Sequence, residues 1–188
     1  NPDVEITKTS MVDSRNAANI KFNDVAVTSD NILGEENNGA SVLEMVLDRA
    51  QIAISAEMLG NASQAFDLTL AYLKERKQFG AVIGTFQALQ HRAAEMYSEL
   101  ELTKSSVIAA CNAVDQNSND LRRMASLAKF KSGETNHLVT NEAVQMHGGV
   151  GVTDEYDVGL FMKRARVTEQ IFGNSEYHID RYATLSDY

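Results

Sequence analysis

Pro2 is the only proline among the 188 residues. No later position loses a backbone donor or is forced to kink by a pyrrolidine ring, so each long apolar pattern is free to run as continuous helix. From about Asn38 to Leu73, the residues Val42, Leu43, Met45, Val46, Leu47, Ile52, Ala53, Ile54, Met58 and Leu59 leave little polar face, as expected of a central, buried helix. Gly60 interrupts the run and is expected to serve close packing rather than a break. Beyond it Ala62, Phe66, Leu70 and Leu73 recur at helical spacing. Thr85 is the expected N-cap of a second helix. Its stripe, Leu89, Ala93, Met96, Leu100, Val107, Cys111 and Val114, advances mostly by three and four residues. A polar link over 115–120, with Ser118 and Asn119 as cap candidates, leads to a third helix from about Asp120 to Met146, stopped by His147-Gly148-Gly149. Thr153-Asp154-Glu155 is expected to open a fourth helix with acidic residues at the positive dipole end, and Lys163, Arg164 and Arg166 to close it. A loop and a short helix between Glu169 and Leu185 complete the chain. Long helices joined by short connections predict a mainly α, up-and-down four-helix bundle over residues 35–188.

Residues 1–34 read differently. Val4–Lys8 and Ile20–Asn23 alternate apolar with polar, the period of a half-buried strand. A few short strands do not bury a sheet face on their own, so this segment is expected to be the remnant of a β-domain. The chain begins Asn1-Pro2 and reads as an excised piece of a longer protein. A formal charge of −9 argues against nucleic acid or an anionic membrane surface as partner. No stretch approaches the ~20 apolar residues that span a bilayer. Cys111, the single cysteine, is expected to be a buried, inert thiol in a reducing compartment, which points to the cytoplasm.

The link between the first two helices, Glu75 to Gln90, carries more than a turn needs. Arg76 and Lys77 sit where a helix C-terminus suits cations. Phe79 stands beside the break at Gly80, and Gln87 and Gln90 follow on the next helix. Spacing alone is met by a capped helical hairpin with a solvated basic end. A phosphate-bearing cofactor is the alternative it leaves open.

Arg76-Lys77-Gln78-Phe79-Gly80 followed by Gln87 resembles the signature of the acyl-CoA dehydrogenase family. Gln145-Met-His-Gly-Gly-Val-Gly151 resembles that family's second flavin-binding segment, and Gln170-Ile-Phe-Gly-Asn-Ser175 falls where the family completes its active site. The strand with Phe22-Asn23-Asp24-Val25 and the Leu33-Gly34 pair match the end of the family's middle β-domain. The resemblance covers almost the whole chain. It implies FAD as cofactor, an acyl-CoA thioester as substrate, and an electron-transfer flavoprotein or similar acceptor. It also implies a homodimer or homotetramer, since the flavin lies at a subunit interface. Arg76, Gln78 and Phe79 match positions that reach the FAD of the neighbouring subunit, and Gln87 a position near its adenosine end. Gln145 and Gly149 match the glycine turn. Asn174 and Ser175 match positions near the flavin, where either would equally serve as a helix N-cap. His147 is read as structural.

The same resemblance exposes a gap. The family removes the proton beside the thioester with one glutamate at either of two places, which here are Gly173 and Ala50; the arginine that usually follows the latter is Gln51. Glu176 is the nearby acid expected to take over as base, and Asp48 matches a substrate contact. Three explanations stand together: a replacement acid, a base-lacking subunit of a hetero-oligomer, or different flavin chemistry. A di-iron bundle is a further class, with Glu134-Thr-Asn-His137 as one copy of the Glu-x-x-His motif it needs twice. A non-catalytic helical interaction domain is another.

Overall fold

A computed structural model describes residues 2–188. Packing divides the chain into two compact units, 1–47 and 48–188, with the division falling inside the first helix.

In the first unit, β1 (Val4–Ser10) and β2 (Asn16–Phe22) form an antiparallel hairpin, Val4 opposite Phe22 and Ser10 opposite Asn16. Ile6, Ile20 and Phe22 are all exposed. The alternation in the sequence therefore marks a real hairpin whose apolar side chains have no core within the unit. α1 runs from Gly39 to Glu75. Leu43, Met45 and Val46 in its first turns are exposed rather than buried. From Asp48 onward Ile52, Ile54 and Met58 are buried while Ala53 is exposed, so the helix buries one face there rather than its whole circumference.

The second unit is mainly α. α2 spans Gln87–Asp115, α3 Leu121–His147, α4 Val158–Gln170 and α5 Ser175–Thr184. Together with α1 they form the up-and-down bundle that the pattern predicts, α5 being the short final helix. One cluster joins Ala62, Phe66 and Leu73 of α1 to Met96 and Leu100 of α2, Val139, Ala143 and Met146 of α3, and Val158 of α4. A second joins Ile52 to Val107, Ala110, Ala125 and Ala128. Met58 and Met96 are fully buried, and each such side chain contributes about 1.5–3 kcal/mol. α3 packs against α2, α4 and α5. Its inner face is unusually polar, with Ser126, Lys129, Ser132, Thr135, Asn136 and Thr140 all buried. Thr103 and Thr135 hydroxyls share a bond of 2.7 Å between α2 and α3.

Several local expectations are corrected. Phe86, not Thr85, is the N-cap of α2, because the Thr85 hydroxyl is turned back onto the Val82 carbonyl in a 3-10 turn. Asp120, rather than Ser118 or Asn119, holds the N-cap position of α3, without a side-chain bond to the helix, and its own amide donates to the Ser118 hydroxyl at 3.1 Å. α4 begins at Val158, not at Thr153: the Thr153 hydroxyl donates to the Val150 carbonyl and closes a local turn, a competitor of helix. Lys163, Arg164 and Arg166 consequently lie within α4. Cys111 is exposed, because the buried positions of that part of α2 are Ala110 and Ala113. Gly60 lies exposed on α1 with nothing within 4 Å of an added Cβ, so it serves no close packing. No helix of the described residues is long and apolar enough to cross a membrane.

Candidate functional site

The candidate residues fall into two groups. The first gathers where α1 ends and α2 begins. β3 (Lys77–Gln78) and β4 (Ala81–Val82) pair as a miniature hairpin, leaving Phe79 and Gly80 as its two-residue tip. Both tip residues have positive φ, 54° and 78°. A two-residue tip with φ above zero at both positions matches the right-handed twist of a hairpin, and Asn or Gly usually stands first. Here an aromatic takes that strained place, and Phe79 is 90% exposed. Its ring makes only an edge contact with Phe86, 6.3 Å between centroids. Residues held in costly backbone conformations with a displayed side chain cluster at binding sites. Arg76 and Gln78 are exposed beside it, and Gln87 begins α2 on the same surface. Gln90 is used internally, its amide donating to the Gly84 carbonyl at 2.9 Å.

The α3 C-terminus lies at this same end. The His147 ring stacks on Tyr72 of α1 at 4.2 Å, and Tyr156 meets both rings. His147 is buried and its Nδ1 donates to the Ala143 carbonyl. Burial pushes its pKa below the usual value, so it is a neutral packing element. The glycines after it separate by role. Gly148 leaves the helix with φ 64°. An added Cβ on Gly151 would lie 2.8 Å from the Val144 carbonyl, so packing alone requires it. Gly149 meets nothing within 4 Å, and no local demand explains it. Gln145 is exposed one turn earlier.

The second group lies toward the other end of α3. Gly133, beside the Ser175 hydroxyl, and His147 are roughly 20 Å apart at 1.5 Å per residue. Asn174 caps α5, its side-chain oxygen accepting from the Tyr177 amide at 3.0 Å. Ser175 Oγ is buried without a hydrogen-bond partner. Glu176 is exposed in the first turn of α5. Asp48 is buried and bonded to Arg181 of α5 at 2.5 Å, with Arg122 3.7 Å away. Gln51 Oε1 accepts from the same Arg181 at 3.0 Å. Ala50, one of the two positions the resemblance singles out, is half-buried on α1 between Asp48 and Gln51 in sequence.

The other, Gly173, has φ 103°. A Cβ there would overlap Cδ1 of Tyr177 and lie 2.9 Å from its Cε1 and 3.1 Å from His178 Nε2. The Gly173 carbonyl accepts from Lys129 Nζ at 2.8 Å. Sequence reasoning missed Lys129 and His178. A lysine at 1% exposure and a histidine at 0% carry no apolar signal, and only their helical register on α3 and α5 betrays them.

Burial, reinforced by the Lys129 and Arg181 charges and only partly offset by the bond to the Phe172 carbonyl, lowers the His178 pKa from 6.5 to about 4. The unfolded chain takes up the proton first as pH falls. Stability from this group is therefore intact above pH 6.5 and is lost progressively down to about 4, at about 1.4 kcal/mol per pH unit. His178→Gln should flatten that acid limb of the stability curve in urea titrations. An unchanged slope would exclude His178 as its source.

The di-iron alternative is dropped. His137 Nδ1 faces Arg166 at 2.5 Å, and among the described residues no group of three or more metal-ligating side chains occurs.

The family model described as acyl-CoA dehydrogenase, C-terminal domain, matches residues 37–184. A probable acyl-CoA dehydrogenase, YngJ of Bacillus subtilis, is 38% identical over 161 residues, which are 86% of this chain and 42% of that protein. The caffeyl-CoA reductase-Etf complex subunit CarC of Acetobacterium woodii is 36% identical over 159 residues, 85% of this chain and 42% of that one. The solved butyryl-CoA dehydrogenase of Megasphaera elsdenii superposes with a TM-score of 0.93 at 28% identity, over 100% of this chain and 49% of that structure. The chain thus spans about half the length of the relatives it matches, or less. Over the bundle whose geometry is described above, it belongs to the acyl-CoA dehydrogenase family.

Proposed function

We propose that the full-length protein carries out FAD-dependent α,β-dehydrogenation of an acyl-CoA thioester, and that this chain is the part that helps hold FAD and forms the oligomer. The observation that carries the reading is the Phe79–Gly80 tip, where a strained, exposed aromatic follows the exposed Arg76 by three residues on the end of the bundle that also bears Gly149. The residues fit the group. Arg76 supplies charge for a pyrophosphate, Gly149 leaves room for backbone N–H groups to approach it, and Phe79 with Gln78 and Gln87 offers ring and amide surface to an adenosine. Asn174 and Ser175 serve the flavin end. FAD, when bound, would supply the hydride acceptor. The two groups lie roughly 20 Å apart along α3, which accords with their serving separate stretches of a long dinucleotide or two copies at an oligomer interface. Residues 1–34 we place in a β-domain that would give the exposed hairpin its core, with residues 35–188 as the helical domain. CarC is by name a subunit of an Etf complex, and we extend to this protein an electron-transfer flavoprotein as acceptor. A reducing compartment, the cytoplasm, suits the lone Cys111.

Arg76→Ala should weaken FAD retention about tenfold or more, the effect of losing a charge-assisted hydrogen bond. Flavin content after gel filtration of the full-length protein measures it, and unchanged occupancy would remove Arg76 from the site.

A second reading is favoured by the crowding at Gly173, where a Cβ would overlap the Tyr177 ring. The chain would be a base-lacking subunit whose hetero-oligomeric partner carries the glutamate. Glu176 is the acid in this chain that would serve otherwise, and any substrate contact by Asp48 would be shared with Arg181.

A further inference from the structure

Phe172 and Gly173 are consecutive residues with positive φ, 60° and 103°. The pair repeats the Phe79–Gly80 arrangement at a second candidate site. Phe172 again displays its ring, 41% exposed. Unlike the hairpin tip, this turn has no strand pairing to hold it. Two buried side chains hold it instead. His178 Nε2 donates to the Phe172 carbonyl at 3.0 Å, and Lys129 Nζ donates to the Gly173 carbonyl at 2.8 Å and to that of Glu169, at the end of α4, at 3.0 Å. The carbonyl fixes the histidine tautomer with its proton on Nε2, leaving Nδ1 buried and unpartnered. Tyr177 packs edge-on against the imidazole at 5.0 Å. Lys129 loses part of its basicity to burial, its pKa falling from 10.5 to about 8 against the pull of Glu169. Two N–H groups suffice for its two carbonyls, so the amine holds the turn in either protonation state.

We propose that Lys129 and His178 are positioning residues that clamp the two carbonyls of the Phe172–Gly173 turn, fixing Phe172 and the start of α5 as one preset face for the flavin. The inference rests on the proposed flavin site. Neither side chain touches that face; both act through the backbone. A turn free to relax would let the Phe172 ring fall back and would shift Asn174 and Ser175 with it.

The test uses the full-length protein as wild type, Lys129→Met, His178→Leu and His178→Gln. Amide hydrogen exchange in the flavin-free protein reads the turn through the Gly173, Tyr177 and His178 amides, which bond to Gln170 O, Asn174 Oδ1 and Asn174 O. His178→Leu, which loses one hydrogen bond, should speed exchange there by about tenfold, and Lys129→Met, which loses two, by at least as much, with α1 to α3 unchanged. Each should also weaken FAD binding about tenfold. His178→Gln keeps an N–H for the Phe172 carbonyl and should stay near wild type in both readings. Exchange that does not change in a folded variant overturns the clamp. Faster exchange with unmoved FAD affinity overturns the positioning role. Should Lys129→Met not fold, the histidine pair decides: leucine fast and glutamine slow supports the clamp, and equal rates overturn it. Wild-type protein that holds no FAD defeats the proposed function, while the exchange comparison still decides the clamp.

Discussion

Replacing Asp48 with alanine should cost about 3–5 kcal/mol, the range for stranding one charge of a buried pair. The Asp48 side chain is 4% exposed and that of Arg181 13%, and their 2.5 Å contact ties the buried part of α1 to α5. Arg181 also donates to Gln51 Oε1 at 3.0 Å and Ser126 Oγ at 2.9 Å. Those neutral acceptors satisfy its N–H groups but not its charge, which Asp48 offsets at short range. Without the carboxylate the guanidinium must either stay uncompensated or drag the last helix outward. The companion variant Asp48→Leu with Arg181→Met removes both charges and should recover most of the loss, since an apolar replacement of a buried pair is often near neutral. Urea unfolding of the three proteins gives the comparison. A loss below about 1 kcal/mol in Asp48→Ala, the level of an exposed pair, would mean that Arg181 reaches solvent without help and that the network does not fasten α5.

What the sequence revealed and what it hid divide along physical lines. Apolar periodicity located the three long helices because each buries its stripe against neighbouring helices: α1 was expected over 38–73 and runs 39–75, and α3 over 120–146 and runs 121–147. The fourth helix was misplaced at its start, because Thr153 has the chemistry of a cap and uses it to close a turn instead. Cys111 was misread by one position on α2, enough to move a side chain from core to surface. At the site, glycine signalled that the chain turns at 80 and 149 but not which glycine the fold itself needs; only the Val144 carbonyl against Gly151 shows that Gly149 is the one left over. The left-handed backbone of Phe79 and Phe172 has no sequence signal, since aromatic residues are not chosen for positive φ. Lys129 was invisible for a related reason. Lysine is almost never fully buried, and its burial follows from two carbonyls that the fold brings to it.

A glutamate placed at Gly173 should fail as a base and succeed as a test of the turn. Gly173→Glu should lose about 2–4 kcal/mol, combining a costly backbone region with overpacking against a neighbour. At φ 103° any side chain is strained, and its Cβ would overlap the Tyr177 ring and approach His178 Nε2 to 3.1 Å. The turn cannot rotate away without breaking the Lys129 bond to the Gly173 carbonyl. Gly173→Ala should show most of the same loss, because the conflict begins at Cβ, before the carboxylate. Adding Tyr177→Ala should recover part of it by removing the ring while leaving the backbone cost. Urea midpoints of the full-length variants measure the stability, and anaerobic flavin bleaching with a panel of acyl-CoA thioesters measures the chemistry. No faster bleaching is expected from Gly173→Glu. A stable variant that bleaches quickly would show that the turn opens freely enough for a carboxylate to act there. A wild-type protein that bleaches while Glu176→Gln does not would place the base on α5. Bleaching in neither would leave the glutamate to a partner subunit.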